Sequence, residues 1–163
     1  MNKSLLAATS VAVAVAAGTG SRASAKRVPL WYARLRKPPY QPPTVAFPVV
    51  WTALYADIAT TSAVAVDRLR AAGRDDPAND GARRYIAALG LNLTLNAGWS
   101  WLFFRYHKLG ASALGAAALT ASSADLVRRT AQADPRAGLA LFPYAVWCAF
   151  ATALTTHLWR LNR

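Results

Sequence analysis

The sequence contains no glutamate and only one cysteine, and charged residues make up 16% of its 163 residues. Ordinary soluble domains carry roughly 25% charged residues. A chain that is 55% hydrophobic has too few charges to cover the surface of a soluble domain, so the composition favours an integral membrane protein. The single cysteine, Cys148, lies in an apolar run and excludes both an intramolecular disulfide and a cysteine-based zinc site.

Five apolar segments predict membrane-spanning helices, at about residues 5–25, 45–66, 85–104, 109–127 and 137–159. A helix needs about 20 residues to cross a bilayer core of about 30 Å, and the second, third and fifth segments fit that length well. The fourth is weaker, since it is rich in alanine and serine and contains Asp125. The links are too short for a second domain. We therefore expect one all-α domain over residues 1–163, an integral membrane bundle of five transmembrane helices with a capping first loop at about 26–44.

The N-terminus has two interpretations. Met1-Asn2-Lys3, the apolar run 5–17 and Ala23-Ser24-Ala25 are also typical of a signal peptide with a small-residue cleavage site. Its loss would leave four helices, which in principle form a self-sufficient bundle. The family resemblance described below favours a retained first helix.

The net charge of +12 would suggest a nucleic-acid partner in a soluble protein. Here the charges lie between apolar segments, where lipid headgroups are the expected partners, and we expect no nucleic acid. With five spans, one face carries ten cations and no acidic residue: Arg22, Lys26, Arg27, Arg34, Arg36, Lys37, Arg105, Lys108, Arg160 and Arg163. The other nine cations do not orient the chain by the positive-inside rule, but the acid-free face would attract anionic ligands.

Six tryptophans are many for this length. An aromatic belt at the lipid interface accounts for Trp31 and Trp159. It does not account for Trp147, which lies about 18 Å from the end of its predicted helix at 1.5 Å per residue. By the same arithmetic, residues of two other helices lie about 8 to 18 Å beneath the acid-free face: Trp51, Tyr55, Asn92, Asn96 and Trp99. This shared depth predicts a pocket in that half of the membrane.

Two buried amides belong to this set. Asn92, Asn96 and Trp99 or Ser100 recur at i, i+4 and i+7 or i+8, which is one face of a helix. Amides in a spanning helix need partners, so this face should point inward. The sequence leaves open whether they join helices or bind a ligand.

Asp57 is the one acid in the middle of a predicted span, where a carboxylate costs about 3 kcal/mol. It is either a proton or cation site, or a carboxyl kept protonated or hydrogen-bonded to Thr60, Thr61 or another helix. No phosphate loop, HExxH or GxSxG pattern is present, and no nucleophile has a base at readable spacing. His107 and His157 have no third ligand in view, so we expect no metal site.

The chain resembles the tryptophan-rich sensory protein/translocator protein family (TspO/MBR). The resemblance covers about 130 residues in the family's order and spacing. The matching segments are Trp31-Tyr32-Ala33-Arg34-Leu35-Arg36-Lys37-Pro38-Pro39 with Pro42-Pro43; Phe47 and Val50-Trp51-Thr52-Ala53-Leu54-Tyr55; Leu91-Asn92, Leu95-Asn96, Trp99-Ser100 and Leu102-Phe103-Phe104; and Pro143-Tyr144, Trp147, Ala149-Phe150-Ala151 and Leu158-Trp159-Arg160-Leu161-Asn162.

The resemblance implies a five-helix membrane protein, commonly a homodimer, whose cavity binds porphyrins or other flat apolar ligands beneath the first loop. It implies no required cofactor, a role in tetrapyrrole regulation or stress responses and, in some bacterial members, light-dependent porphyrin breakdown. Combined with the depth argument, it predicts a ligand-binding set of sixteen residues: Trp31, Tyr32, Leu35, Pro38, Tyr40, Pro42, Pro43, Phe47, Trp51, Tyr55, Asn92, Asn96, Trp99, Trp147, Phe150 and Ala151.

Some positions depart from the family pattern. Tyr40 and Thr155 replace a usual tryptophan and asparagine, and Asp57 replaces an apolar residue. The C-terminal sterol motif lacks its tyrosine between Leu154 and Arg160, which argues against sterol binding there.

We expect a porphyrin-binding protein in a bacterial membrane. One alternative is an enzyme that degrades the porphyrin, with Trp51 and Trp147 as redox partners. The other is a transporter of small solutes in which Asp57 couples movement to protons.

Overall fold

A computed structural model describes residues 2–24, 28–73 and 80–163. Regular structure in these ranges is entirely helical. Five long helices and one short one follow in chain order: α1 (Lys3–Ser24), the short α2 (Val28–Arg34), α3 (Ala46–Ala72), α4 (Gly81–Ser100), α5 (Leu109–Ala133) and α6 (Pro135–Leu161). A π-helical turn, Trp101–Arg105, continues α4.

Within the described ranges, three segments are both long and apolar enough to cross a membrane: Lys3–Ala23, Ala46–Ala72 and Pro135–Leu161. The remaining long helices, α4 and α5, have 20 and 25 residues but carry more polar side chains. Several of these are buried against neighbouring helices, for example Asn92, Asn96, Ser112 and Ser123. Inward polar groups lower the hydropathy of a helix without facing lipid. The architecture is that of an integral membrane helical bundle.

The helices extend past the apolar segments that predicted them. α3 continues to Ala72 and α5 to Ala133, and α4 begins at Gly81. Hydrophobicity marks only the part of a helix that lies in the hydrocarbon core of the bilayer. Residues that favour helix, such as alanine, arginine and leucine, continue it into the headgroup region. The predicted first loop contains α2, and its residues 26 and 27 lie outside the described ranges, as does residue 25 of the first segment.

The core lies where α1, α3, α4, α5 and α6 meet. Ile58, Leu126 and Leu141 are fully buried there. α1 packs against α3 and α4 and adds Val13 to this core, and its Thr9 hydroxyl donates to the Ala59 carbonyl oxygen over 2.8 Å. α1 therefore contributes to the core of the bundle.

A single residue, Asp134, connects α5 to α6. Its carboxylate accepts a hydrogen bond from the Ala137 backbone N–H at 3.0 Å and caps α6, which begins with Pro135. That hydrogen bond and the Arg68 guanidinium 3.3 Å away hold the pKa of Asp134 below its usual range. Close to this short connection, Gly138 of α6 lies against the backbone of Ala131 in α5.

Candidate ligand-binding cavity

A cavity of about 410 Å³ lies between the helices, a size within the range of small-molecule pockets. Its walls come from α1, α2, α3, α4, the π turn and α6, and they are mostly aromatic and aliphatic. The lining residues are Ala17, Gly20, Ser21, Tyr32, Thr44, Phe47, Pro48, Trp51, Tyr55, Trp99, Ser100, Phe103, Phe104, Trp147, Ala151, Leu154, Thr155 and Leu158.

Helical periodicity places one wall of the cavity on α3. Phe47, Trp51 and Tyr55 follow one another at intervals of four residues, so their rings lie along one face of the helix. The Trp51 ring centroid lies 5.5 Å from that of Tyr55 and 6.5 Å from that of Trp99 on α4. The wall is therefore a continuous aromatic surface shared by two helices.

The opposite wall comes from α6. Trp147, Ala151, Leu154 and Leu158 recur at i, i+4, i+7 and i+11 on one face. Trp147 packs edge-on against Phe47 with their centroids 6.0 Å apart. Because Ala151 has a small side chain, it leaves open space between the larger ones.

The π turn forms the wall nearest the acid-free face. The Tyr106 backbone N–H donates to the Trp101 carbonyl oxygen at 3.0 Å, which is the i→i+5 bond of a π-helix. The turn carries Phe103 and Phe104 into the lining, and the Phe103 ring stacks on Trp99 at 5.6 Å. Single π turns occur frequently at functional sites, where they redirect side chains.

The predicted capping segment lies over this end of the cavity. Tyr32 of α2 lines it, and Trp31 packs on Phe103 and stacks on the His107 ring with their centroids 4.1 Å apart. Two hydrogen bonds of 2.9 Å join the Asn162 side-chain amide to the backbone N–H and C=O of Arg36. The segment is thus held at two places, on the loop after α4 and on the end of α6.

The charges divide the molecule as the sequence predicts. In the described ranges, every ion pair lies in the half of the bundle opposite the cavity: Arg68–Asp134, Arg84–Asp80, Arg128–Asp125 and Arg129–Asp125. No acidic side chain pairs with the described cations of the acid-free face: Arg22, Arg34, Arg36, Lys37, Arg105, Lys108, Arg160 and Arg163. The end of the bundle nearest the cavity is therefore cationic without compensation.

The two amides of α4 have different surroundings. Asn92 lies outside the lining, accepts a hydrogen bond from the Tyr144 hydroxyl at 2.8 Å and donates to Ser123 at 3.1 Å. It therefore joins α4 to α5 and α6. Asn96 accepts a bond of 2.8 Å from the hydroxyl of Tyr55, which lines the cavity, whereas its Nδ2 has no partner among the described residues.

Three buried donors near the cavity lack acceptors among the residues that the structure describes. They are Asn96 Nδ2 and the indole Nε1 atoms of Trp99 and Trp147. A buried donor without a partner costs about 1–3 kcal/mol. Since both indoles belong to lining residues, a ligand that carries acceptor oxygens would relieve part of this cost.

The structure brings seven of the sixteen predicted residues into the lining: Tyr32, Phe47, Trp51, Tyr55, Trp99, Trp147 and Ala151. The other nine lie outside it: Trp31, Leu35, Pro38, Tyr40, Pro42, Pro43, Asn92, Asn96 and Phe150. Of these, Trp31 and Phe150 support lining rings, and Tyr40 lies on the outer side of α6 beside His157. That any of the sixteen binds a ligand stays a prediction.

The predicted set omitted eleven lining residues. Helical spacing from Trp147 would have found Leu154, Thr155 and Leu158, because they continue its stripe. Spacing from Trp99 would have found Phe103. Spacing from Asn96 places Ser100 one turn further on the same face, and Phe104 lies in a segment that matches the family. No signal in the sequence pointed to the small residues Ala17, Gly20 and Ser21 of α1, or to Thr44 and Pro48.

Asp57 lies at the edge of the buried face of α3 and outside the cavity lining. The Thr60 and Thr61 hydroxyls donate to its backbone carbonyl oxygen at 3.0 and 2.7 Å. The side-chain hydrogen bond to these threonines that the sequence suggested is therefore not formed.

These features define a class of helical membrane proteins built around an internal aromatic cavity beneath a cationic cap. Residues 8–160 match the TspO/MBR family, and the chain belongs to this family. It is 32% identical to protein CrtK of Rhodobacter capsulatus over 99% of this chain and 95% of that protein. It is 30% identical to the tryptophan-rich sensory protein of Cereibacter sphaeroides, over 81% of this chain and 77% of that protein.

Similarity extends to animal proteins. The human translocator protein is 29% identical over 81% of this chain and 75% of its own length. The similarity to the bacterial proteins supports the prediction that this chain is a bacterial membrane protein.

Proposed function

We propose that this protein binds a porphyrin or related tetrapyrrole in the cavity, and acts in tetrapyrrole regulation or stress sensing. The observation that carries the proposal is an aromatic cavity directly beneath a face without acidic side chains. Aromatic faces stack on a flat macrocycle. Uncompensated cations attract its carboxylates, and the unpartnered indole N–H groups suit acceptor oxygens.

Titration with protoporphyrin IX tests the proposal. The protein is held in lipid nanodiscs, and binding is followed by the shift of the porphyrin absorption band, a signal that does not depend on tryptophan fluorescence. We expect saturable binding that weakens about tenfold in Trp51→Phe/Trp147→Phe, because two stacking surfaces shrink. Trp101→Phe is the matched control, since Trp101 lies outside the lining and donates to the Thr19 carbonyl oxygen.

Non-saturating uptake by the wild type would refute porphyrin binding. Equal affinity in the double variant and the Trp101→Phe control would place the porphyrin outside this cavity. Raising the ionic strength should slow association, since the attraction between the cationic face and the carboxylates is screened.

A second candidate is light-dependent degradation of the bound porphyrin. The observation in its favour is that Trp51 and Trp147, both oxidisable, line the same cavity, and that Trp51 contacts Trp99 and Tyr55. Illumination of the saturated complex, with analysis of products by mass spectrometry, separates turnover from stoichiometric binding. Products that form equally in the double variant would exclude these tryptophans from the reaction.

Homodimer formation is also a proposal, supported by the resemblance to the family. Nothing in the surroundings of Asp57 favours proton-coupled transport over binding.

A further inference from the structure

A second cavity, of about 420 Å³, lies on the outer side of the bundle near the end of α6. It shares no lining residue with the first cavity. Its lining consists of Tyr40, Ala153, Thr156, His157, Arg160 and Leu161. The capping segment supplies the tyrosine and α6 supplies the rest, so the site lies where these two parts of the chain meet.

Two contacts of Tyr40 hold it in this site, and hydrogen bonds four residues earlier hold its segment. Its hydroxyl oxygen lies 3.1 Å from His157 Nδ1, and its ring packs edge-on against Phe150 at 6.4 Å. Four residues earlier, the paired hydrogen bonds between Arg36 and Asn162 fix the segment to the end of α6. The tyrosine therefore has a defined position in this lining.

The lining offers several hydrogen-bond donors. A tyrosine hydroxyl and a neutral imidazole have two donor hydrogens between them, and their mutual bond uses one. One donor remains whichever tautomer is present. Arg160 adds a guanidinium that is exposed and has no carboxylate partner among the described residues, and Thr156 adds a hydroxyl. Donors of this kind, with no acid beside them, suit a phosphate group.

The position of the site suggests where the phosphate comes from. Trp159, partly exposed in the last turns of α6, is placed as an interfacial aromatic residue, so the site lies at headgroup depth. Ala153 lies about two turns deeper than Arg160, and the exposed Val146 and Ala149 extend an apolar path from it toward the bilayer centre. An occupant with an anionic head and an acyl chain fits both ends of this surface.

We propose that this second cavity binds the phosphate group of an anionic phospholipid, held by Arg160, His157 and Tyr40. The recognised chemistry is a phosphate anion, whose source is either the lipid headgroup or free inorganic phosphate. A bound lipid touches both the capping segment and α6, and so stabilises the folded protein by mass action.

The test uses the full chain in nanodiscs of phosphatidylcholine, with and without added phosphatidylglycerol. The readouts are lipid retention by native mass spectrometry and the midpoint of thermal unfolding. We expect the wild type to retain phosphatidylglycerol and to unfold at a higher temperature in its presence. Arg160→Gln should reduce retention about fivefold, in line with about 1 kcal/mol for one cation near an anionic surface.

Arg163→Gln is the matched control. It removes the same charge three residues away, where the guanidinium lies over the Trp159 ring, and it should leave retention unchanged. Tyr40→Phe removes one hydroxyl and no charge, and it should also lower retention. Equal losses in Arg160→Gln and Arg163→Gln would reduce the effect to diffuse surface charge and overturn the proposal. A wild type that shows no preference for phosphatidylglycerol over phosphatidylcholine would overturn it as well.

Inorganic phosphate distinguishes the two sources. If millimolar phosphate displaces phosphatidylglycerol and raises the unfolding midpoint by itself, the site recognises the anion alone. If phosphate has neither effect while the lipid is retained, the acyl chain is needed and the lipid is the ligand.

Discussion

The contact between α5 and α6 at Gly138 yields the sharpest stability prediction. A Cβ atom added there would lie 2.5 Å from Ala131 Cα and 2.7 Å from Ala131 N, whereas ordinary contacts begin at 3.4 Å. The obstacle is backbone and cannot rotate away, so the two helices must separate by about 1 Å. Overpacking of this kind costs about 1–3 kcal/mol. Relative to a glycine-to-alanine change without such an obstacle, we therefore expect Gly138→Ala to lower the free energy of unfolding by that amount.

The assay is thermal unfolding in a fixed detergent, followed by circular dichroism. Gly90→Ala is the matched control, because nothing lies within 4 Å of a Cβ atom there. Alanine is favoured over glycine inside a helix by up to about 1 kcal/mol, so this control should unfold at or above the wild-type temperature. A Gly138→Ala variant as stable as the control would refute the close approach of the two helices.

Three further predictions concern the core, the helix cap and the cavity. Tyr144→Phe removes the hydroxyl that donates to Asn92 and should destabilise the protein by about 1–3 kcal/mol, measured by the same unfolding assay. The folded-state pKa of Asp134 is depressed, so its contribution to stability is complete above the usual carboxyl pKa and is lost as the pH falls through the folded-state value. Asp134→Asn keeps a capping acceptor for Ala137, and in pH-dependent unfolding it should flatten the acid side of the wild-type curve; an unchanged curve would contradict this. Ala151→Phe should fill the space beside Trp147 and weaken protoporphyrin IX binding in the absorption titration, and unchanged affinity would place the ligand elsewhere.

Much of the helical arrangement could be predicted from the sequence, because span length and residue depth follow from a fixed rise per residue. Depth placed Trp51, Trp99 and Trp147 in the same half of the membrane, and the structure puts all three rings in one lining. The small residues of α1 could not be predicted, because they contribute to the lining by leaving space. No residue pattern in the sequence indicates such a space.

The roles of the two amides could not be separated in advance. Asn92 and Asn96 lie one turn apart on the same face, and which of them meets a serine depends on how α5 packs against α4. The position of Tyr40 depends on the hydrogen bonds between the capping segment and Asn162. Both are properties of tertiary contacts that helical periodicity does not encode.

The π turn makes the register of one cavity wall adjustable. An i→i+5 turn holds one residue more than the α-helical turn that it replaces, so removing one residue from Trp101–Arg105 could restore regular helix without lengthening the connection to α5. Residues beyond the turn would keep their orientation around the axis of α4, because the wide turn is what accommodates the extra residue. Side chains within the turn, Phe103 and Phe104 among them, would instead shift around that axis, and the cavity would change its shape through a change in chain length, with no substitution of any residue that lines it.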